Sequence, residues 1–186
     1  MTNRYILQIA LLLCVSTTAL STSYSLLGDQ QKRSNLACQN LLLQLPGAPQ
    51  DCLEDRMNFE VPEEIKEPQK FRKEDAILVI YEMLQQILGI FRRNVSRTGW
   101  TEPIIKNLLE ELCGQRDRLE PILEEIMEKE NFTRGYMTVL YLKKYYLQIV
   151  QYLKSKEYSS CAWTQVRVEI LKNFSFINSL TGHLQN

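Results

Sequence analysis

The residues able to do chemistry are few, and their spacing offers catalysis little. The single histidine, His183, stands three residues from the end of the 186-residue chain, where a frayed tail is expected rather than a general base. The acid pairs Glu63-Glu64, Glu110-Glu111 and Glu124-Glu125 are sequence neighbours. Adjacent residues on a helix point about 100° apart, so no such pair can share one substrate, and all three read as solvated faces. No G-x-S-x-G, P-loop, G-x-G-x-x-G or H-E-x-x-H string occurs. Tyr136, Tyr141, Tyr145, Tyr146 and Tyr152 crowd one short segment and read as core edge and surface packing, with wet hydroxyl ends. The expectation is a chain that is no enzyme and takes no cofactor.

Sulfur and asparagine carry the remaining chemistry. None of the five cysteines lies in a C-x-x-C arrangement, so a metal site is not expected. Cys14 falls in a segment that reads as a secretory leader. Arg4 supplies its positive end, Ile6 to Val15 form an apolar run broken only by Gln8, and Ala19 and Ser21 supply the small residues before cleavage. The run is shorter than the roughly 20 apolar residues that span a bilayer. The expectation is therefore a signal peptide over residues 1–21 and a secreted, extracellular single domain over 22–186, with no membrane insertion. In an oxidising compartment Cys38, Cys52, Cys113 and Cys161 allow three full pairings, and sequence alone does not choose. Asn94-Val95-Ser96, Asn131-Phe132-Thr133 and Asn173-Phe174-Ser175 are glycosylation sequons. The first two fall in polar connections. The third lies beside Phe174 on an apolar stripe, where a glycan fits poorly.

Lys and Arg together number 22, as do Asp and Glu, so charge calls for neither nucleic acid nor an anionic membrane as partner. Arg92, Arg93 and Arg97 make a local basic cluster, read as a solvated loop edge.

Helices must position these groups. Cys38, Leu41, Leu42 and Leu45 repeat at i, i+3, i+4, i+7 and mark the end of a first helix opening near Ser23. Pro46, Pro49, Pro62 and Pro68 punctuate a long connection without helical periodicity, and connections of that length are usually functional. A second helix from Phe71 to Arg92 is apolar over so broad a face (Ala76, Ile80, Met83, Ile87 and Phe91, widened by Ile77, Leu84 and Leu88) that it must be central. A third opens near Thr101, with Pro121 predicted to kink or split it. A fourth carries Val139, Leu142, Tyr146, Ile149 and Leu153. A fifth carries Trp163, Val166, Ile170, Phe174 and Ile177, and Gly182 is expected to stop it. The long first loop lets helix two run parallel to helix one, while short loops make later neighbours antiparallel. The fold class is all-α: an up-up-down-down long-chain four-helix cytokine bundle, with helix four as a fifth, crossover helix.

Specific strings go further than periodicity. Cys52-Leu53-Glu54-Asp55-Arg56-Met57-Asn58-Phe59, followed by Pro62-Glu63-Glu64, resembles the first inter-helix loop of the type I interferons. Tyr158-Ser159-Ser160-Cys161-Ala162-Trp163, running into Val166-Arg167-Val168-Glu169-Ile170, resembles the start of their last helix. Met1-Thr2-Asn3, Leu26-Leu27-Gly28 and Phe132-Thr133-Arg134-Gly135 bring the likeness nearest to the beta type. It covers essentially the whole chain.

The resemblance implies a cytokine that binds and bridges the two subunits of a cell-surface receptor to trigger antiviral, antiproliferative and immunomodulatory signalling. It implies a disulfide between Cys52 and Cys161. It places Leu53 and Arg56 on the loop side of the surface for the high-affinity subunit, and Arg167, Val168, Leu171, Lys172 and Ser175 on the helix side. Positions 168, 171, 172 and 175 independently share one helical face, distinct from the apolar stripe. Lys143 matches a basic position on the side facing the second subunit. The amino-terminal cysteine that alpha types use for a second bridge is absent, and Cys113 has no counterpart in the family pattern. Cys38 and Cys113 then either pair with each other or both stay thiols, and Cys38 fits the apolar stripe as a buried thiol. Cys113 lies off its helix's main stripe, is expected to be exposed, and leaves covalent self-association open. Two other readings stand beside this one: a helical cytokine with a different receptor pair, and a secreted bundle that carries apolar ligands.

Overall fold

The computed structural model describes residues 2–129 and 133–185. Five α-helices carry the fold: α1 (Thr2–Gln44), α2 (Lys73–Phe91), α3 (Glu102–Lys129), α4 (Thr133–Ser155) and α5 (Ser160–Gln185). Among the described residues there is no strand. The helix expected to open near Ser23 is continuous from Thr2, because the apolar leader run itself holds no proline or glycine to interrupt it. No described helix is long and apolar enough to cross a membrane.

Side-chain pairs across the helices give their directions. Ser34 meets Arg118 while Cys38 meets Gln115, so α1 and α3 are antiparallel. Asp29 meets Gln185 and Gln39 meets Asn178, so α1 and α5 are antiparallel too. Tyr81 with Glu120 and Arg92 with Cys113 set α2 against α3. Helices α1 and α2 are therefore parallel, and α1, α2, α3 and α5 form the up-up-down-down bundle, with α4 packed on α2 and α5. The backbone of α4 starts hard against α2. A Cβ at Gly135 would lie 2.7 Å from Asp75 Oδ1, so glycine permits the approach.

The central helix is α2, with thirteen of its nineteen residues buried. Ile77, Ile80, Met83, Leu84 and Ile87 are fully enclosed, as are Trp163, Phe174 and Tyr146 of the covering helices in the same core. The long first connection is folded rather than loose. It holds three short 3-10 segments, Pro49–Asp55, Glu63–Lys66 and Pro68–Lys70, and drives Phe59, Val61, Ile65 and Phe71 into the core.

Two expectations need correction and a third is narrowed. Pro121, expected to kink or split α3, leaves it continuous from Glu102 to Lys129. It sits on the exposed side, where the carbonyl one turn back, left without its amide donor, can be hydrated. Gly182 does not stop α5, because Leu180, Thr181 and Leu184 still pack into the core and Lys73 Nζ donates to the Leu184 carbonyl at 3.2 Å. His183 is consequently helical and half-buried, its Nε2 lying 2.8 Å from the Phe71 carbonyl, not in a frayed tail.

Candidate functional site

The first connection is fastened to α5 and α4 at both ends. Where α1 ends, its last carbonyls have no intrahelical donor. Arg167 of α5 supplies one: its Nη1 donates to the carbonyls of Leu45 and Pro46, and its Nη2 to that of Gly47. Trp100 Nε1 adds a second bond to the Pro46 carbonyl at 3.0 Å. Gly47 adopts φ 113°, and a Cβ there would fall 2.5 Å from Thr164 Oγ1, so the chain crosses directly over α5. Further on, the Cys52–Cys161 disulfide joins connection to helix, with Cα atoms 5.2 Å apart, and Gln165 Nε2 donates to the Cys52 carbonyl at 3.0 Å. Tyr152 of α4 then takes the far end. Its hydroxyl donates to the Asp55 carbonyl at 2.5 Å, and its ring meets Phe59 edge to face at 5.4 Å. Lys156 pairs with the Asp55 carboxylate at 2.8 Å.

This fastening presents a mixed surface. Leu53 is 63% exposed and Val168 40% exposed, both unusual for aliphatic side chains in a folded chain. Arg56, Lys172 and Ser175 are exposed as well, and Leu171 is half-buried. Lys172 Nζ lies 3.7 Å from Glu169 Oε1. Met57, 48% exposed, adds an apolar side chain that the sequence reading missed. It stands beside Arg56 in a string already singled out, so position alone could have found it. Lys143 is exposed on α4.

Arg167, which the family resemblance placed on this surface, and Asn173 of the third sequon are enclosed instead. Arg167 is 7% exposed, and its guanidinium is turned inward onto the loop carbonyls, where loss of solvent pulls its pKa down. Asn173 is 0% exposed. Its Nδ2 donates to the Tyr145 hydroxyl at 2.7 Å and its Oδ1 accepts from the Tyr146 hydroxyl at 2.6 Å. The nitrogen a glycan would need is thus buried and bonded, and the third sequon is closed in the fold. Asn94 is exposed ahead of a short 3-10 segment. Asn131 lies outside the described residues.

Tyr145 and Tyr146 also depart from the expected wet-ended packing. Both are buried, and Tyr145 donates to Glu169 Oε1 at 2.6 Å. Sequence showed only a run of tyrosines, because their polar partners lie on another helix. Cys38 and Cys113 are free thiols. Cys38 is buried and accepts a bond from Gln115 Nε2 at 3.3 Å. Cys113, expected to be exposed, is half-buried against the core, with Arg92 Nη2 3.4 Å from its sulfur. An open groove of about 590 Å³ runs beside the surface, bordered by Val61, Lys66, Tyr141, Lys144 and Lys172.

Comparison with known proteins agrees with this architecture. Residues 27–184 match the family model Interferon, described as the interferon alpha/beta domain. The chain is 64% identical to interferon beta-2 of Bos taurus over 185 residues, with all of both chains covered. It is 62% identical to interferon beta of Homo sapiens over 187 residues and 44% identical to that of Mus musculus over 186, again at full coverage of each. Among solved structures, zebrafish interferon 1 superposes with a TM-score of 0.68 at 17% identity, covering 81% of this chain and 94% of that one, which is a likeness of fold. A chain that fits this family along its domain and matches interferons beta from end to end belongs to the interferon alpha/beta family, whose members are cytokines and not enzymes.

Proposed function

We propose that this chain is a secreted type I interferon of the beta type, released by cleavage after Ser21, that bridges the two subunits of the type I interferon receptor. The high-affinity subunit takes the surface of Leu53, Arg56, Val168, Leu171, Lys172 and Ser175. The second subunit engages a separate face that includes Lys143. Asn94 and Asn131 carry glycans. Bridging at a membrane raises the effective concentration of the second contact, so that contact can be weak. Signalling belongs to the receptors; the cytokine holds them together.

The observation that carries this reading is the exposure of Leu53 and Val168 on two elements joined by one disulfide. Aliphatic side chains held in water on a fastened loop and on the helix it is fastened to, with Arg56 and Lys172 exposed on the same two elements, have the make-up of an interface centre with a polar rim. The test is binding of the mature chain to the immobilised high-affinity ectodomain, beside Arg56→Ala. Loss of about 1–3 kcal/mol with unchanged melting temperature supports it, because forked guanidinium contacts are frequent hot spots. A well-folded wild type that fails to bind, or an Arg56→Ala protein that binds equally well, would overturn it.

A further inference from the structure

We propose that Arg167 is a positioning residue: it holds the entry of the first connection against α5, and so sets where Leu53 and Arg56 stand, without touching the receptor. The proposal rests on the receptor reading above. Its basis is the direction of the side chain. The guanidinium donates to three consecutive carbonyls, those of Leu45, Pro46 and Gly47, and the residue is 7% exposed. Its neighbour Val168, about 100° round the helix, is 40% exposed. One residue of α5 therefore faces the loop and the next faces solvent.

The carbonyls it gathers belong to the corner where α1 gives way to the connection. That corner has no slack. Trp100 holds the Pro46 carbonyl from outside, and Gly47 crosses Thr164 so closely that no Cβ fits. Only Ala48, Pro49, Gln50 and Asp51 separate the corner from Cys52, which the disulfide fixes to the start of the same helix. The segment bearing Leu53 and Arg56 thus starts from Cys52, is held beyond it at Asp55 by Tyr152 and Lys156, and enters through the corner that Arg167 holds. A lysine cannot replace it. An ammonium is a compact point donor, whereas the planar fork meets several carbonyls at once in a fixed geometry.

The test combines affinity with amide exchange, using the mature chain and the immobilised high-affinity ectodomain. The variants are Arg167→Lys, Gly47→Ala, Arg56→Ala and the double Arg167→Lys/Arg56→Ala. Arg167→Lys should weaken binding about tenfold, yet cost much less on the Arg56→Ala background, since residues that act through one another are not additive. The amides of Asp51 and Arg56, which bond to the Ala48 and Leu53 carbonyls, should exchange faster, while α2 keeps its protection. Gly47→Ala loosens the same corner and leaves Arg167 in place. It should reproduce both effects, and it carries the test if Arg167→Lys does not fold. Additive losses with unchanged loop exchange would overturn the proposal and make Arg167 a direct contact; full affinity in both variants would overturn it too. Failure of the wild type to bind would instead remove the functional reading, and the exchange data would still report whether Arg167 holds the loop.

Discussion

The Tyr145 hydroxyl donates to Glu169 at 2.6 Å and accepts from the Asn173 carboxamide at 2.7 Å, joining α4 to two successive turns of α5 inside the molecule. Glu169 is 8% exposed, and the same oxygen lies 3.7 Å from Lys172 on the surface. A buried carboxylate needs its donors, because an unmet polar group keeps its full desolvation cost. Tyr145→Phe should therefore lower stability by about 1–3 kcal/mol, read as the urea midpoint at constant slope. An unmoved midpoint would mean that water replaces the hydroxyl and the bond holds nothing.

The same network fixes the fate of the third sequon. Both polar atoms of Asn173 are engaged by tyrosine hydroxyls, and the residue is sealed from solvent. Expressed in a glycosylating host, Ser175→Ala should leave the mass of the secreted protein unchanged apart from the substitution. Asn94→Gln should remove one glycan. A Ser175→Ala product lighter by a glycan would show that Asn173 is modified before α4 closes over it.

Cys52 and Cys161 close a loop of sequence separation 109. In the chain-entropy model a loop of that length is worth about 4–5 kcal/mol, a large share of the roughly 5–15 kcal/mol that holds a domain folded. Cys52→Ser should thus fall by about 8–20 °C in melting temperature or fail to fold, and Cys161→Ser likewise. Since Cys113 is a free, half-buried thiol, each variant should also yield disulfide-linked products that a Cys113→Ser background suppresses. Full stability in Cys52→Ser would show that the noncovalent fastenings at Arg167 and Tyr152 suffice.

Much of this was legible from residue spacing. The broad apolar stripe of α2 announced a central helix, and the long proline-punctuated connection allowed a parallel second helix. The face of Val168, Leu171, Lys172 and Ser175 follows from i, i+3, i+4, i+7 spacing alone, and in the fold Val168, Lys172 and Ser175 are exposed and Leu171 is half-buried. Arg167 was placed on that face by family likeness, although it sits one residue, about 100°, away from Val168. Helical spacing says which residues share a side. It does not say that a loop from another part of the chain lies over one of them, so the inward turn of Arg167 had no local signal. The pairing of the Tyr145 and Tyr146 hydroxyls with Glu169 and Asn173 was hidden for the same reason, since each is satisfied by a residue more than twenty positions away. Gly182 misled because a glycine stops a helix only when the next turn has nothing to pack on.

Alkaline pH should loosen the fold before it affects the surface. Burial pushes the Cys38 thiol up from 9.0 to about 12, with the Glu111 charge adding to it. Burial likewise raises Tyr152 from 10.0 to about 12, with Asp55 contributing, and raises Tyr145 and Tyr146 above 10.0. Each group keeps its proton in the folded chain after the unfolded chain has lost it. The stability they contribute is complete below pH 9 for the thiol and pH 10 for the tyrosines, and is lost as pH rises toward the folded values. For Cys38 the loss steepens across that window, because the unfolded chain has released a proton that the folded chain still holds. Cys38→Ser should flatten the first part of the decline, because a hydroxyl still accepts from Gln115 but does not ionise there. Denaturant unfolding of wild type and variant from about pH 8 to 11 reads the difference directly. Parallel curves would show that the Cys38 thiol titrates alike in the folded and unfolded chain and that its burial is not felt.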